Sequence, residues 1–183
     1  MDKERSEVLD AIAEQLARIG KSGFASLIPE VGSNLAYAVS RPKDFHDIAA
    51  VPGRIRNAMG RPAFLPPEFG ASTHLASTIL GAMSHEPGRR AVINIRYSPE
   101  LVRALVGKGL AVVFIDRMKE PADVRAKEGA SVPWVLARAV EKLGRVPDAV
   151  YHTGSVGKEA IVQIIATHPA RAVDIALGLI GES

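Results

Sequence analysis

The sequence contains no cysteine, which excludes disulfides, thiolate metal sites and cysteine nucleophiles together. Aromatic residues make up only 5% of the chain, so its core has to be aliphatic. No apolar run reaches the roughly 20 residues of a membrane-spanning helix, and the opening MDKERSEV does not read as a secretory signal. A cytoplasmic protein with no membrane partner is therefore expected. Charge of one sign is scarce too. The formal net charge is +3 and no Lys/Arg run occurs, which gives no footprint for nucleic acid. There is no G-x-G-x-x-G dinucleotide fingerprint and no internal repeat. The Gly-Lys pair at Gly157-Lys158 is not a P-loop. Walker A needs four residues between its glycines and Ser/Thr after Lys, whereas here two residues separate Gly154 from Gly157 and Glu159 follows Lys158.

What is present points to one α/β domain. The chain has 183 residues, 47% of them hydrophobic, enough for a sizeable core. Its arginines are spaced as Arg54, Arg56 and Arg61, then Arg89, Arg90 and Arg96, which suits discrete phosphates better than a continuous backbone. Arg89 and Arg90 read as ordinary surface residues. The central stretch is Phe69–Met83. Pro66-Pro67 end what precedes it, Gly70 releases the chain, and Ser72 or Thr73 can cap a helix. Leu75, Ala76, Ile79, Leu80 and Met83 form its buried face. His74, Ser77, Thr78 and Gly81 form the opposite stripe. A hydroxyl cap, a positive dipole end and a first-turn histidine make either an anion site or a capped core helix whose histidine faces solvent.

Around this stretch the chain alternates. A helix over Asp2–Ile19 carries the stripe Val8, Leu9, Ile12, Ala13, Leu16, Ile19. A strand begins near Asn34 with Leu35, Tyr37 and Val39 on one side. Phe45–Ala50 is ambiguous, and Arg54–Met59 reads as a strand with arginines on one face. Ala91–Tyr97 is an interior strand ending in Asn94 and Arg96; Leu110–Ile115 is another, ending at Asp116-Arg117. Ser98-Pro99 opens a helix between them. Short and longer helices follow at Pro121–Lys127 and Trp134–Leu143, then a strand at Ala149–Tyr151, the loop His152–Glu159, a last strand at Ile161–Ala166 and a last helix at Pro169–Ile180. Strand ends in such sheets are where ligands bind, which singles out Arg96 and Asp116. A layered domain with a mixed sheet is expected.

Five segments, PEVGSNLAYA (Pro29–Ala38), DIAAVPGRI (Asp47–Ile55), FGASTHLA (Phe69–Ala76), NIRYS (Asn94–Ser98) and VGKE (Val156–Glu159), resemble the archaeal-type thiamine-phosphate synthase domain, ThiN, in order and spacing. The resemblance runs from about residue 28 to the C-terminus, so residues 1–27 are set apart as an N-terminal helix and linker and 28–183 as the domain. It implies a three-layer α/β/α fold with a central mixed sheet, similar to class II aldolases. It implies an enzyme joining hydroxymethylpyrimidine diphosphate to hydroxyethylthiazole phosphate. The family occurs alone, fused behind a hydroxymethylpyrimidine-phosphate kinase, or behind a DNA-binding segment as a thiamine-responsive repressor. A kinase-domain partner is thus one expectation, and a non-catalytic thiamine-phosphate sensor is the alternative function. By the resemblance Arg54 and His74 are the catalytic pair. Ser72, Thr73, Asn94 and Arg96 are substrate contacts, followed by Asn34, Asp116, Lys158 and Glu159. Mg²⁺ is expected from the chemistry of a diphosphate leaving group alone. His152 stands where acidic residues are common in the family, and Ala160 where proline is usual. A zinc-dependent sugar-phosphate aldolase on the similar fold would need paired histidine spacing such as H-x-H, which the five histidines lack. An exposed Leu/Ile stripe on the first helix, or an edge strand, could support a homodimer.

Overall fold

The computed structural model describes residues 2–127, 129–154 and 157–182. Seven strands form one sheet: β1 (Leu35–Ala38), β2 (Ile48–Ala50), β5 (Glu68–Phe69), β6 (Ala91–Arg96), β7 (Val112–Phe114), β8 (Ala149–His152) and β9 (Ile161–Ala166). Their order is β5-β2-β1-β6-β9-β8-β7. Every adjacent pair is antiparallel except β7 and β8, so the sheet is mixed, as expected.

Both faces are covered, because alternate residues of each strand are apolar on both sides. Leu35, Ile93, Ile95, Val162 and Ile164 pack against α1 (Lys3–Gly20), α3 (Pro99–Gly107) and α6 (Pro169–Leu177). Ala36, Ala38, Ile48, Val92, Val150 and Ile165 pack against α2 (Thr73–His85) and α5 (Ser131–Leu143). The short α4 (Ala122–Ala126) precedes α5. The result is a three-layer α/β/α domain.

Several boundaries differ from the sequence reading, each for a local reason. Arg54–Met59 is not a strand of the sheet. Only Arg56–Ala58 is extended (β3), and it pairs with Arg61–Ala63 (β4) in a separate two-stranded hairpin. Its turn holds Met59 at φ +53° and Gly60 at φ +82°, left-handed values suited to a tight hairpin. Phe45–Ala50 resolves into a 3₁₀ turn at Phe45–Asp47 followed by β2. Helix α5 starts at Ser131, two residues before Pro133, since proline is tolerated in a first turn.

The small stripe of α2 does not face solvent throughout. Thr78 is buried, and a Cβ at Gly81 would stand 2.6 Å from a Leu136 methyl, so small residues there let α5 approach. The apolar stripe of α1 is likewise spent internally: Val8, Ile12, Leu16 and Ile19 join the core beside β1 and α6, leaving none of them for a second copy. Arg89 and Arg90 are also structural rather than loose. Arg89 bridges Glu86 and Asp148, and Arg90 holds the Ala38 carbonyl and lies over the Tyr37 ring.

Candidate active site

A cavity of about 360 Å³ opens where α2 and α5 begin, over the ends of β1, β6, β8 and β9. Its floor comes from residues that interrupt the apolar pattern on the α2/α5 face of the sheet. Asn94 pairs with Gln163 across β6 and β9, and Ile161 pairs with His152 across β9 and β8.

Asn34 and Asn94 shape one wall. The Asn94 amide donates to the Gly32 carbonyl at 3.2 Å and its oxygen accepts from the Asn34 backbone N–H at 2.7 Å. The Asn34 side chain accepts from Leu35 N and Val51 N and donates to the Val51 carbonyl. These two buried amides fix the backbone around the Val51-Pro52-Gly53 turn. Arg54 follows that turn with φ +72°, a conformation costing a non-glycine residue roughly 1–2 kcal/mol. Its Nη1 donates to the Val31 carbonyl at 2.7 Å. Val31 is held at its N–H as well: the Glu159 carboxylate accepts from Glu30 N at 2.8 Å and Val31 N at 2.9 Å. Glu159 and Arg54 thus grip the same residue, one at its N–H and the other at its carbonyl.

Helix α2 supplies the adjoining wall. The Ser72 hydroxyl caps it by accepting from Leu75 N at 3.3 Å, leaving the first-turn amides of Thr73 and His74 without intrahelical acceptors. His74 keeps an exposed edge on the cavity, while its Nε2 lies 3.1 Å from Gln163 Nε2. The Thr78 hydroxyl donates to Gln163 Oε1 at 3.1 Å, so the amide offers its NH₂ to His74. The proton of the neutral ring then sits on Nδ1. Crowding by the cavity walls, with Arg54, Arg117 and Lys158 adding repulsion, pushes the His74 pKa down to about 4. His152 behaves alike. It is 6% exposed, its Nδ1 accepts from Gly154 N at 3.2 Å, and burial followed by Arg117 lowers its pKa to about 4. Its Nε2 therefore carries the proton.

The wall beside His74 and His152 is built from Arg117, Lys158 and the first residues of α5. Arg117 is 5% exposed and pairs with Glu120 Oε2 at 2.9 Å. Burial works against the Glu120 charge, but hydrogen bonding from Ser131 and Arg117 outweighs it and holds the carboxyl below its usual range. Lys158 Nζ donates to Ser131 Oγ at 3.1 Å.

The cavity thus gathers Asn34, Arg54, Ser72, His74, Asn94, Lys158 and Glu159. Three expected contacts lie elsewhere. Thr73 is exposed one residue around the helix from His74. Arg96 Nε donates to the Ser26 carbonyl at 2.6 Å, and Asp116 caps the turn Arg117–Lys119 by accepting from Met118 N at 2.9 Å. Arg117, Ser131 and Gln163 were not singled out from sequence. A lone glutamine inside the apolar run Ile161–Ala166 was the available signal for Gln163, of the same kind as Asn94. The donor set suits an anion. Glu159 is committed to amides, Glu120 to Arg117, and among the described residues no group of three His, Asp or Glu could hold a metal.

A mixed sheet between helical layers is a fold that this chain shares with solved sugar-phosphate aldolases. L-fuculose-1-phosphate aldolase from Thermus thermophilus superposes with a TM-score of 0.53 at 18% identity, over 93% of this chain and 88% of that one, which establishes shared fold alone. The family is narrower: the model for thiamine-phosphate synthase ThiN matches residues 9–177, and the chain belongs to that family. It is 38% identical over 158 residues to thiamine-phosphate synthase ThiN of Methanothermobacter thermautotrophicus, covering 86% of this chain and 83% of the relative. It is 39% identical over 163 residues to the bifunctional thiamine biosynthesis protein ThiDN of Methanocaldococcus jannaschii, covering 88% of this chain but 37% of that protein. The C-terminal domain of a phosphomethylpyrimidine kinase superposes with a TM-score of 0.89 at 34% identity, over 94% of this chain and 97% of that domain.

Proposed function

We propose that this cleft joins hydroxymethylpyrimidine diphosphate to hydroxyethylthiazole phosphate, releasing diphosphate and thiamine phosphate. Membership of the thiamine-phosphate synthase family supports the reaction. The observation that supports its location is the meeting of Arg54 and His74, from separate motifs, at one anion-binding helix start.

The thiazole nitrogen attacks the methylene carbon of the pyrimidine, the C–O bond to diphosphate breaks, and its electron pair leaves with the diphosphate. The nitrogen becomes a thiazolium without shedding a proton, so no strong base is required. What the site must do is align two substrates and stabilise the departing oxyanions. Arg54 offers its free guanidinium edge to the diphosphate, with its other edge fixed on Val31. His74, neutral at pH 7, donates from Nδ1–H, and the first-turn amides of α2 add to the same anion site. Ser72 acts through its cap, ordering those amides. Glu159 positions Arg54 through the Val31 peptide. An Mg²⁺ on the diphosphate would be held chiefly by the substrate's own phosphate oxygens and water, and would supply charge neutralisation of the leaving group.

Purified protein supplied with both substrates is expected to release diphosphate stoichiometrically with thiamine phosphate, in a coupled diphosphate assay. Absence of turnover by wild type, or full turnover by folded Arg54→Ala and His74→Ala variants, would overturn the assignment. One relative is named a thiamine-phosphate synthase and the other a bifunctional thiamine biosynthesis protein, which leaves the sensor alternative without support.

A further inference from the structure

We propose that Arg117, Lys158 and the start of α5 form a second anion pocket, which takes the phosphate monoester of the thiazole substrate while Arg54 and His74 hold the diphosphate. The assignment of the ligand rests on the reaction proposed above.

Arg117 carries the argument. It is buried in the cavity wall, yet only Nη2 meets Glu120; its Nε has no partner among the described residues, and neither has Glu120 Oε1. A purely structural Arg–Glu pair would turn the fork onto both carboxylate oxygens. Here the fork is half engaged, and a buried donor without an acceptor is costly. A phosphate oxygen would relieve it. The surroundings match that ligand. Helix α5 begins with no side-chain cap, the amides of Ser131 and Val132 have no acceptor among the described residues, and both residues line the cavity. Lys158 Nζ lies 3.1 Å from Ser131 Oγ and 3.9 Å from Glu120 Oε2. Two cations against one carboxylate leave this pole positive. It adjoins the first and differs from it in its helix: it is built on the start of α5, where the first is built on the start of α2, and its cations also bear on His74. The reaction needs two phosphate-bearing substrates in line, and the cavity has a cationic group beside each of two helix starts.

The test compares thiazole phosphate with its dephosphorylated alcohol. Wild type should prefer the phosphorylated substrate by about 100-fold or more in kcat/KM, the scale expected of a charge-assisted phosphate clamp. In Arg117→Gln/Glu120→Gln, which removes the buried pair as a unit, that preference should fall about tenfold or more while KM for the pyrimidine diphosphate moves less than about twofold. Lys158→Ala, at a partly exposed side chain, carries the same readout while leaving the Arg117–Glu120 hydrogen bond in place. An undiminished preference in both variants, or a rise confined to KM for the pyrimidine diphosphate, would overturn the pocket. Calorimetry with thiazole phosphate alone separates the two claims. Binding that is lost in the Arg117 variant and kept in Arg54→Ala upholds the pocket even if wild type fails to turn over; no binding to wild type rejects it.

Discussion

Arg54 sits in a left-handed conformation that an arginine adopts at a cost, and the cost is separable from its charge. Arg54→Ala keeps the strained backbone and removes the guanidinium, whereas Arg54→Gly removes both. The glycine variant is expected to be about 1 kcal/mol more stable than the alanine variant, with both inactive. Urea denaturation beside the diphosphate assay would show it. His74→Ala should lower turnover by roughly 10²-fold or more, the effect of losing one charge-stabilising donor, with an unchanged circular dichroism spectrum. Because its pKa is lowered to about 4, kcat/KM should show no ionisation near 6.5 and should fall only as pH approaches about 4. A break near 6.5 would mean the ring is needed in another state. His152 extends the same physics to stability. Its pKa is about 4 when folded against 6.5 for the ordinary group, so the unfolded chain binds more protons between those values. Stability is full above pH 6.5 and declines on acidification towards pH 4, by roughly 3 kcal/mol for this one buried group. Denaturation midpoints at pH 7.5 and 4.5 would measure the slope, which should shrink in His152→Leu. Arg54 and His74 were legible in sequence because each lies inside a recognisable motif. Arg117 was not: it is adjacent to Asp116, and only the turn Arg117–Lys119 decides which of the two faces inward.

Helix α2 was readable because its apolar residues recur at helical spacing, and the face it buries is the one that spacing marked. Leu75 is buried but also reaches the cavity wall, so Ile79 is the cleaner probe of packing. Ile79→Ala should cost about 2–5 kcal/mol while the remaining folded protein keeps its KM values. The hairpin β3–β4 was misread since Arg56, Asn57 and Ala58 alternate like any strand. Periodicity does not reveal which sheet a strand joins, and here all three residues of β3 are exposed. In the loop His152–Glu159 the governing residue is Gly154, at φ +84°. A Cβ there would lie 2.7 Å from the Lys158 carbonyl oxygen and 3.2 Å from Ala160 N, both backbone atoms that cannot swing aside. Gly154→Ala should therefore displace the loop and weaken the hold of Glu159 on Val31. Turnover would fall along with a stability loss of about 1–3 kcal/mol. Wild-type kinetics in that variant would show that the loop tolerates another path. Val156, which opens the VGKE segment, and Ser155 before it lie outside the described residues.

The domain is held by long-range pairing. Helix α1 shares a core with β1, β6 and α6, so a chain lacking residues 2–20 should expose the sheet face and lose its cooperative thermal transition. A layered α/β plan could be read from alternating apolar segments, and its three layers from the family resemblance, but the strand order could not, because connections between antiparallel strands leave no periodic mark. That order has its own consequence. Strand β9 lies between β6 and β8, although both are made before it. On a ribosome adding about 5–20 residues per second, the interval from Arg96 to Ala166 lasts roughly 4–14 s. Throughout that time β6 lacks one neighbour and presents an apolar edge that another nascent chain could pair with. The vulnerable moment in the life of this protein is thus the end of its synthesis, and crowding of polysomes, rather than heating of the finished enzyme, is the condition under which it should fail first.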